Sequence, residues 1–385
     1  MPETQKSGPG LRLIGESPIS LYGLPAAEWQ RRAWAHAGAR GGDDDGAGAI
    51  CIDIGWALSA GLASALAASP GAALLADGAQ GRRLIAAHAP ASADIGAVAA
   101  LVAQGEADEA LLADQGLRPA SAAEIAGDYN QVLRKREVPF AVEMAAEGPR
   151  ATERAFFRSA YKGATDIVTK FAWPIPAFAA TRFCAARGIT PNAVTALSFV
   201  FVLLAMWFFW RGEWTAGFVS GWFMTFLDTV DGKLARTTFT SSRWGNIFDH
   251  GIDQIHPPFW YWAWFEGIRA TTPNAPDWLD LALWTILVFY LLGRLVETVF
   301  MRRFGFHMHI WRRIDYLMRT VTARRNPNML IFMVFCMFGA AAEGLAAVAL
   351  WAVVCVGFHA VRLAMAFRVA RGGVVASWMI GSASK

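Results

Sequence analysis

The sequence predicts an all-α polytopic membrane domain of six transmembrane helices, preceded by a small soluble α/β domain. Hydrophobic residues make up 55% of the 385-residue chain and charged ones only 17%, which is apolar for a soluble protein of this size. The apolar weight is uneven: the stretch up to about residue 160 is rich in Ala, Gly, Asp and Glu, and Trp and Phe crowd the remainder. Four aspartates interrupt the apolar half in two pairs, Asp228 with Asp231 and Asp249 with Asp253. From these observations we expect a soluble α/β domain over 1–150, a linker with an interfacial amphipathic helix over 151–190, the six-helix domain over 191–370 and a cytosolic tail over 371–385.

The amino-terminal part alternates helix-like and strand-like pieces up to Tyr129. From Pro25 the pattern suits an amphipathic helix with Trp29, Ala33 and Ala37 on one side and Gly38 as C-cap. A polar loop comes next, in which Asp43–Asp45 reads as a solvated turn, and then a strand candidate, Ala49–Ile54. Ile50–Leu75 is apolar, but Asp53, Pro70 and the dominance of Ala, Gly and Ser argue against a membrane helix. Gly23-Leu24-Pro25 and Ala37-Gly38 resemble the sugar-phosphate nucleotidyltransferases, where a Gly-x-Pro stretch leads into a helix ending in Ala-Gly. That family's glycine-rich nucleotide loop is missing, and Arg12–Ser17 stands in its place. Without those glycines the backbone does not closely cradle a triphosphate. The resemblance therefore implies a degenerate, regulatory or structural domain.

Met1–Leu11 is polar, so no signal peptide is expected and the amino-terminal domain is placed in the cytosol. Cys51, Cys184, Cys336 and Cys355 form no CxxC pair, which argues against a zinc site or a disulfide framework. A net charge of +4 suggests no nucleic-acid partner.

Asp166–Arg187 mixes Phe, Trp and Ile with Lys170, Arg182 and Arg187, as an interfacial helix does, and breaks near Pro174 and Pro176. Beyond it, Thr190 is a candidate cap and Pro191 opens the first span. The six spans are expected at Ala193–Trp210, Trp214–Val230, Ile247–Ile268, Trp278–Phe300, Met329–Ala342 and Gly344–Phe367. Each approaches the roughly 20 residues a bilayer requires. With these spans, thirteen basic residues fall on one side, from Lys233 and Arg236 to Arg371 and Lys385, and only Arg211 and Arg269 on the other. The rich side is the cytosolic one. The amino terminus, the aspartates and the carboxyl terminus are thus expected on the cytosolic face of the inner membrane.

Three- and four-residue spacings place each aspartate pair on one helix face. An ionised carboxylate at membrane depth costs roughly 2.5–3.5 kcal/mol, and four together repel one another, so either some are protonated or cations neutralise them. Oxygen-only ligands favour Mg²⁺ or Mn²⁺, and two ions sharing four carboxylates make a clamp suited to displacement at phosphorus. Gly232 and Gly245 leave room for a ligand, and Arg236 suits a phosphate.

Asp228-x-x-Asp231-Gly232-x-x-Ala235-Arg236, then eight residues to Gly245, three to Asp249 and three to Asp253, resembles the full signature of the CDP-alcohol phosphotransferases. The resemblance covers about 192–367. It implies transfer of a phosphoalcohol group, phosphatidyl-type, from a CDP-linked donor to an acceptor hydroxyl with release of CMP, in phospholipid or related lipid headgroup synthesis. It further implies that Asp228, Asp231, Asp249 and Asp253 hold the metal ions, with Asp253 also the general base. Gly232, Ala235, Arg236 and Gly245 would line the CDP pocket, and the chain would be a homodimer.

Acceptor binding is expected from Arg294 inside the fourth span and from Arg312, Arg313, Arg324 and Arg325 in the basic loop after it. The acceptor itself would be plain or phosphorylated. The same loop also suits anionic membrane lipids. Arg294 and Glu297 equally suit a structural ion pair, and His256, one turn beyond Asp253, suits a core position. Two other readings are compatible with parts of the chain. A bifunctional cytidylyltransferase–phosphotransferase is opposed by the missing glycine loop. A cation transporter is opposed by the clustering of the acids at one membrane face.

Overall fold

The computed structural model describes residues 8–41, 48–79, 81–130 and 133–379, with the side chains of Arg243, Trp244, Asn246, Asp249 and His250 outside the description. The acidic run Asp43–Asp45 and Lys385 also lie outside the described residues. The chain falls into two compact units. One is Met1–Tyr161 with Thr181–Ile189 and Lys233–Thr240, and the other is Lys162–Ala180 with Thr190–Gly232 and Ser241–Lys385.

The first unit is built on a six-stranded sheet of β1 (Gly10–Ile14), β2 (Arg40–Gly41), β3 (Ala49–Asp53), β4 (Ala72–Gly78), β5 (Gly81–Ala89) and β6 (Arg118–Ala120). Its order is β2-β1-β3-β5-β4-β6. β5 runs antiparallel to both neighbours, and the other pairs are parallel. Ala49–Ile52 is buried along its whole length, as the uninterrupted apolar run of an interior strand requires. Helix α1 (Ala26–Ala37) buries Trp29, Ala33 and Trp34 and ends at Gly38, whose φ of 100° is the left-handed cap that glycine adopts without strain. Helix α2 (Ile95–Gln104) is capped by Asp94, which accepts from the Gly96 and Ala97 amides. On α3 (Pro149–Ser159) the buried Glu153 accepts from the Tyr22 amide at 2.7 Å and from Arg182.

The interfacial stretch forms two helices, α4 (Ile167–Phe171) and α5 (Pro174–Ala186), divided where Pro174 begins a new turn. Asp166 caps α4 through the Val168 and Thr169 amides. Seven further helices complete the chain: α6 (Pro191–Trp210), α7 (Trp214–Thr237), α8 (Arg243–Thr271), α9 (Trp278–Phe304), α10 (Arg313–Val321), α11 (Arg325–Met337) and α12 (Ala341–Gly372). Thr190 accepts from the Ala193 amide at 3.2 Å, and Pro191 opens α6, as the cap pattern predicts.

Three of these helices, α6, α9 and α12, are long and apolar enough to cross a membrane, with 20, 27 and 32 residues. Among the described residues α7 and α8, with 24 and 29 residues, do not reach that standard, and both carry charged side chains. The expected fifth span, Met329–Ala342, differs most. Its helix starts at Arg325, ends at Met337 and has 13 residues. At 1.5 Å per residue that is about 20 Å, short of a hydrocarbon core of about 30 Å.

Leu203, Trp207, Leu281, Trp284 and Leu350 lie on exposed faces of these helices, the distribution expected of a lipid-facing surface. The interior is aromatic. Trp264 stacks on Phe332 with ring centroids 4.3 Å apart, and Phe209 meets Trp260 and Trp264 edge-on at 5.8 Å. Gly217 and Gly267 permit that packing, because a Cβ on either would collide with Phe209. Trp264→Ala should cost about 3–5 kcal/mol through the cavity it opens, and lower the unfolding temperature in detergent. Trp284→Ala, at a side chain 63% exposed, should leave that temperature nearly unchanged.

Candidate active site

Asp228 lies on α7, Asp253 lies on α8, and both reach the same partner. Arg325, the first residue of α11, places Nη2 2.8 Å from Asp228 Oδ2 and Nη1 2.6 Å from Asp253 Oδ1. The Arg325 and Asp228 side chains are 13% and 19% exposed and Asp253 is 41% exposed, so the bridge has a closed side and an open one. Asp231, one helical turn after Asp228, is buried. Its Oδ2 lies 2.6 Å from the Thr195 hydroxyl on α6. Four helices therefore meet at the carboxylates through side-chain contacts. Asp249 lies on α8, but its side chain falls outside the described residues.

The residues expected to line the CDP pocket divide. Gly232 is half-buried on α7. Ala235 and Arg236 belong to the amino-terminal unit, where Arg236 Nε and Lys233 Nζ donate to the Ala160 carbonyl at 2.9 and 3.0 Å. In the same unit Trp29 Nε1 donates to the Thr237 carbonyl at 3.0 Å. A Cβ on Gly245 would stand 2.5 Å from the Asn192 side-chain oxygen, so this glycine lets the starts of α6 and α8 approach.

Pro257 and Pro258 lie inside α8, and the helix continues through them. Pro258 has no amide hydrogen to give the Gln254 carbonyl, and Tyr290 Oη supplies one at 2.8 Å. The helix next to Asp253 is thus tied to α9. His256 takes the core position: Nδ1 lies 2.6 Å from the Ile252 carbonyl, and the ring sits edge-on to Trp260 at 4.9 Å.

A second polar cluster centres on Glu297 of α9. Arg324 Nη2 reaches its two oxygens at 2.8 and 2.6 Å, Arg294 Nη1 reaches Oε2 at 3.3 Å, and His309 Nε2 lies 3.2 Å from Oε1. Burial pushes the His309 imidazole down to about 3 despite Glu297 beside it. The sequence marks Arg319 only as a topology charge. Burial and then the Arg324 charge push its guanidinium down to about 9. Buried Arg294 Nε, Arg319 Nη1 and Arg324 Nε have no partner among the described residues. No motif or spacing singles out Arg319; only the cation density of the loop points near it.

Of the other expected acceptor residues, Arg325 is on the aspartates. Arg312 stacks over Trp311 at 4.9 Å and Arg313 over Trp378 at 5.8 Å, both exposed. Beside Glu297 a cavity of about 20 Å³, lined by Tyr261, Tyr290, Arg294, Asn328 and His359 among apolar side chains, has room for about one water.

Among the described residues no three His, Cys, Asp or Glu side chains form a group able to hold a metal ion. The donor set still fits one. Asp228 and Asp253 converge on a single positive centre, and carboxylate oxygens suit a hard divalent ion.

Part of the chain is similar to known proteins. Residues 188–358 match the family model described as CDP-alcohol phosphatidyltransferase. A phosphatidylinositol phosphate synthase of Streptomyces avermitilis is 34% identical over 103 residues, which are 26% of this chain and 36% of that protein. An archaetidylinositol phosphate synthase of Pyrococcus horikoshii is 39% identical over 72 residues, 18% of this chain and 38% of that protein. The chain thus spans little more than a third of the length of these curated relatives. A solved structure of the Mycobacterium tuberculosis phosphatidylinositol phosphate synthase with CDP-DAG bound is 20% identical and covers 50% of this chain and 94% of its own, with a TM-score of 0.39. Residues 188–358, which carry all four aspartates, are a domain of the CDP-alcohol phosphatidyltransferase family.

Proposed function

We propose that this membrane protein transfers a phosphatidyl group from a CDP-linked lipid to the hydroxyl of a phosphorylated polyol, releasing CMP. The convergence of Asp228 and Asp253, from separate helices, on one cationic centre carries the reading. The acceptor class rests on two supports. The relatives named above make inositol phosphate lipids, and one buried nitrogen on each of three arginines, Arg294 Nε, Arg319 Nη1 and Arg324 Nε, lacks a partner among the described residues. Buried N–H groups without acceptors cost about 1–3 kcal/mol each, and a phosphate satisfies several at once.

Asp228, Asp231, Asp249 and Asp253 would hold a divalent ion, Mg²⁺ or Mn²⁺, which would neutralise the diphosphate and the departing CMP. The remaining work falls to the chain. Asp253, on the open side of the site, accepts the proton of the acceptor hydroxyl. The acceptor oxygen bonds to the phosphorus that carries the lipid alcohol, and the bond from that phosphorus to the CMP oxygen breaks. Thr195 fixes Asp231 while this happens, and the arginines around Glu297 orient the acceptor phosphate. Gly232, Ala235, Arg236 and Gly245 are the proposed CDP contacts, and Arg312 and Arg313 suit anionic lipid heads.

We place the protein in the inner membrane as a six-pass homodimer with the aspartates facing the cytosol. The basic loop and the charged ends of α7 and α8 support that orientation. For the amino-terminal domain we propose a degenerate nucleotidyltransferase-like role without activity. A mostly parallel sheet with one reversed strand supports the likeness, and Arg12–Ser17 in place of a glycine loop supports the loss.

The direct test is CMP release by purified protein from CDP-diacylglycerol, compared with inositol phosphate, inositol and glycerol phosphate as acceptors. No CMP from any of them overturns the reading. Asp253→Asn should lower kcat by at least about 100-fold, the contribution of a general base, while CDP-diacylglycerol binding persists. Near-normal turnover would remove Asp253 from that role. Asp231→Ala should abolish metal-stimulated activity, and retained stimulation would overturn its place as a ligand. Arg319→Ala should raise the acceptor KM at least about tenfold, the loss of one charge-assisted hydrogen bond, with the donor KM unchanged. An equal rise in both would show a structural effect instead.

A further inference from the structure

We propose that Arg325 is an internal counter-cation for the metal site. Its guanidinium holds Asp228 and Asp253 together in the metal-free protein and is displaced when a divalent ion takes the same two carboxylates. This inference rests on the reading of the aspartates as metal ligands.

The two contacts use different nitrogens of one planar group, Nη2 to Asp228 and Nη1 to Asp253. Each carboxylate therefore commits an oxygen to the guanidinium, and a metal ion bound at those oxygens competes for them. The ion has the advantage where it is present, because it brings two charges in a compact sphere against one charge spread over a plane. Where it is absent, removal of Arg325 leaves the half-buried Asp228 and the more exposed Asp253 without their shared counter-charge.

The attachment of Arg325 suits a side chain that exchanges partners on a fixed backbone. It is the first residue of α11, after Arg324 with an extended backbone at φ −134° and ψ 177°. The next residue is anchored, since Asn326 is buried and its side-chain amide donates to Asp166 Oδ1 at 3.0 Å. Asp166 is in turn fixed at the cap of α4.

The exchange affects the proposed reaction in two ways. Asp228 and Asp253 are held together by the guanidinium until the metal arrives, so the two carboxylates are already in place when the ion binds. The displaced guanidinium adds a forked donor beside the diphosphate position, which makes metal and anionic substrate bind with positive cooperativity.

The test uses the full chain in detergent. Mn²⁺ binding is measured by calorimetry and thermal unfolding for the wild type, Arg325→Gln and Arg325→Lys. Arg325→Gln should bind Mn²⁺ at least tenfold tighter, unfold at a lower temperature without metal and recover with it; Arg325→Lys should bind like the wild type. Unchanged or weaker Mn²⁺ binding by Arg325→Gln overturns the proposal and leaves an ordinary structural ion pair. A second measurement needs no variant. Phenylglyoxal labelling of Arg325 in the wild type, read by peptide mass spectrometry, should rise severalfold on adding Mn²⁺, and constant or reduced labelling overturns the proposal. If the wild type binds no Mn²⁺ at all, the metal-site reading itself fails, and the counter-cation role fails with it.

Discussion

Carboxylates at the end of an apolar helix bundle repel one another and are poorly solvated, and the arrangement around them answers that constraint. Asp228, Asp231 and Asp253 each receive a compensating partner from another helix. Arg325 answers two of them and Thr195 the third. The partners come from α6 and α11, so neutralising the charge also fixes how four helices meet. A site assembled in this way is held by its own electrostatics, and the aromatic packing of Trp264, Phe332 and Phe209 below it supplies the rigid floor.

The proline pair of α8 belongs to the same logic. A proline in a helix interior ordinarily leaves a carbonyl without its donor, a defect in a membrane unless another group fills it. Here Pro257 and Pro258 take the helical donors from the Asp253 and Gln254 carbonyls, and Tyr290 of α9 fills the second. The helix that carries Asp253, the proposed base, is thereby tied to the helix that carries Arg294 and Glu297. The proposed chemistry has its acceptor and its base on these two elements.

The spacing of the aspartates, the Thr190–Pro191 start, the Gly38 cap and the strand at Ala49–Asp53 were legible because each is a local rule of helix face, cap or strand pattern. The span count was less legible. Hydropathy runs on past Met337 into Ala341 and Ala342, whereas the helix breaks at Gly339, whose φ of 71° is a turn conformation. Partner choice was not legible at all. Arg325 and Arg324 are adjacent in sequence and chemically identical, yet one reaches the aspartates and the other Glu297. Only the direction in which each side chain leaves the start of α11 separates them. Arg236 shows the same limit, since nothing near it in sequence points to the Ala160 carbonyl.

Opposite charges are matched at two places in the membrane unit, with reversed sign. At the acidic centre a guanidinium occupies the place of a cation, and at the basic centre Glu297 occupies the place of an anion between Arg294 and Arg324. Isolated buried charges of either sign are too costly to leave uncompensated. Each charged centre therefore carries its own internal partner, with which the proposed metal ion or phosphate would compete. The cavity beside Glu297, large enough for about one water, agrees with a basic centre closed around its own carboxylate. Ligand binding in such a site is an exchange of ion pairs, and its free energy is the difference between the new pair and the old one. Selectivity then comes from charge and geometry together. On the proposed reading, a ligand that lacks a phosphate would leave Glu297 paired with Arg294 and Arg324, however well its hydroxyls fit.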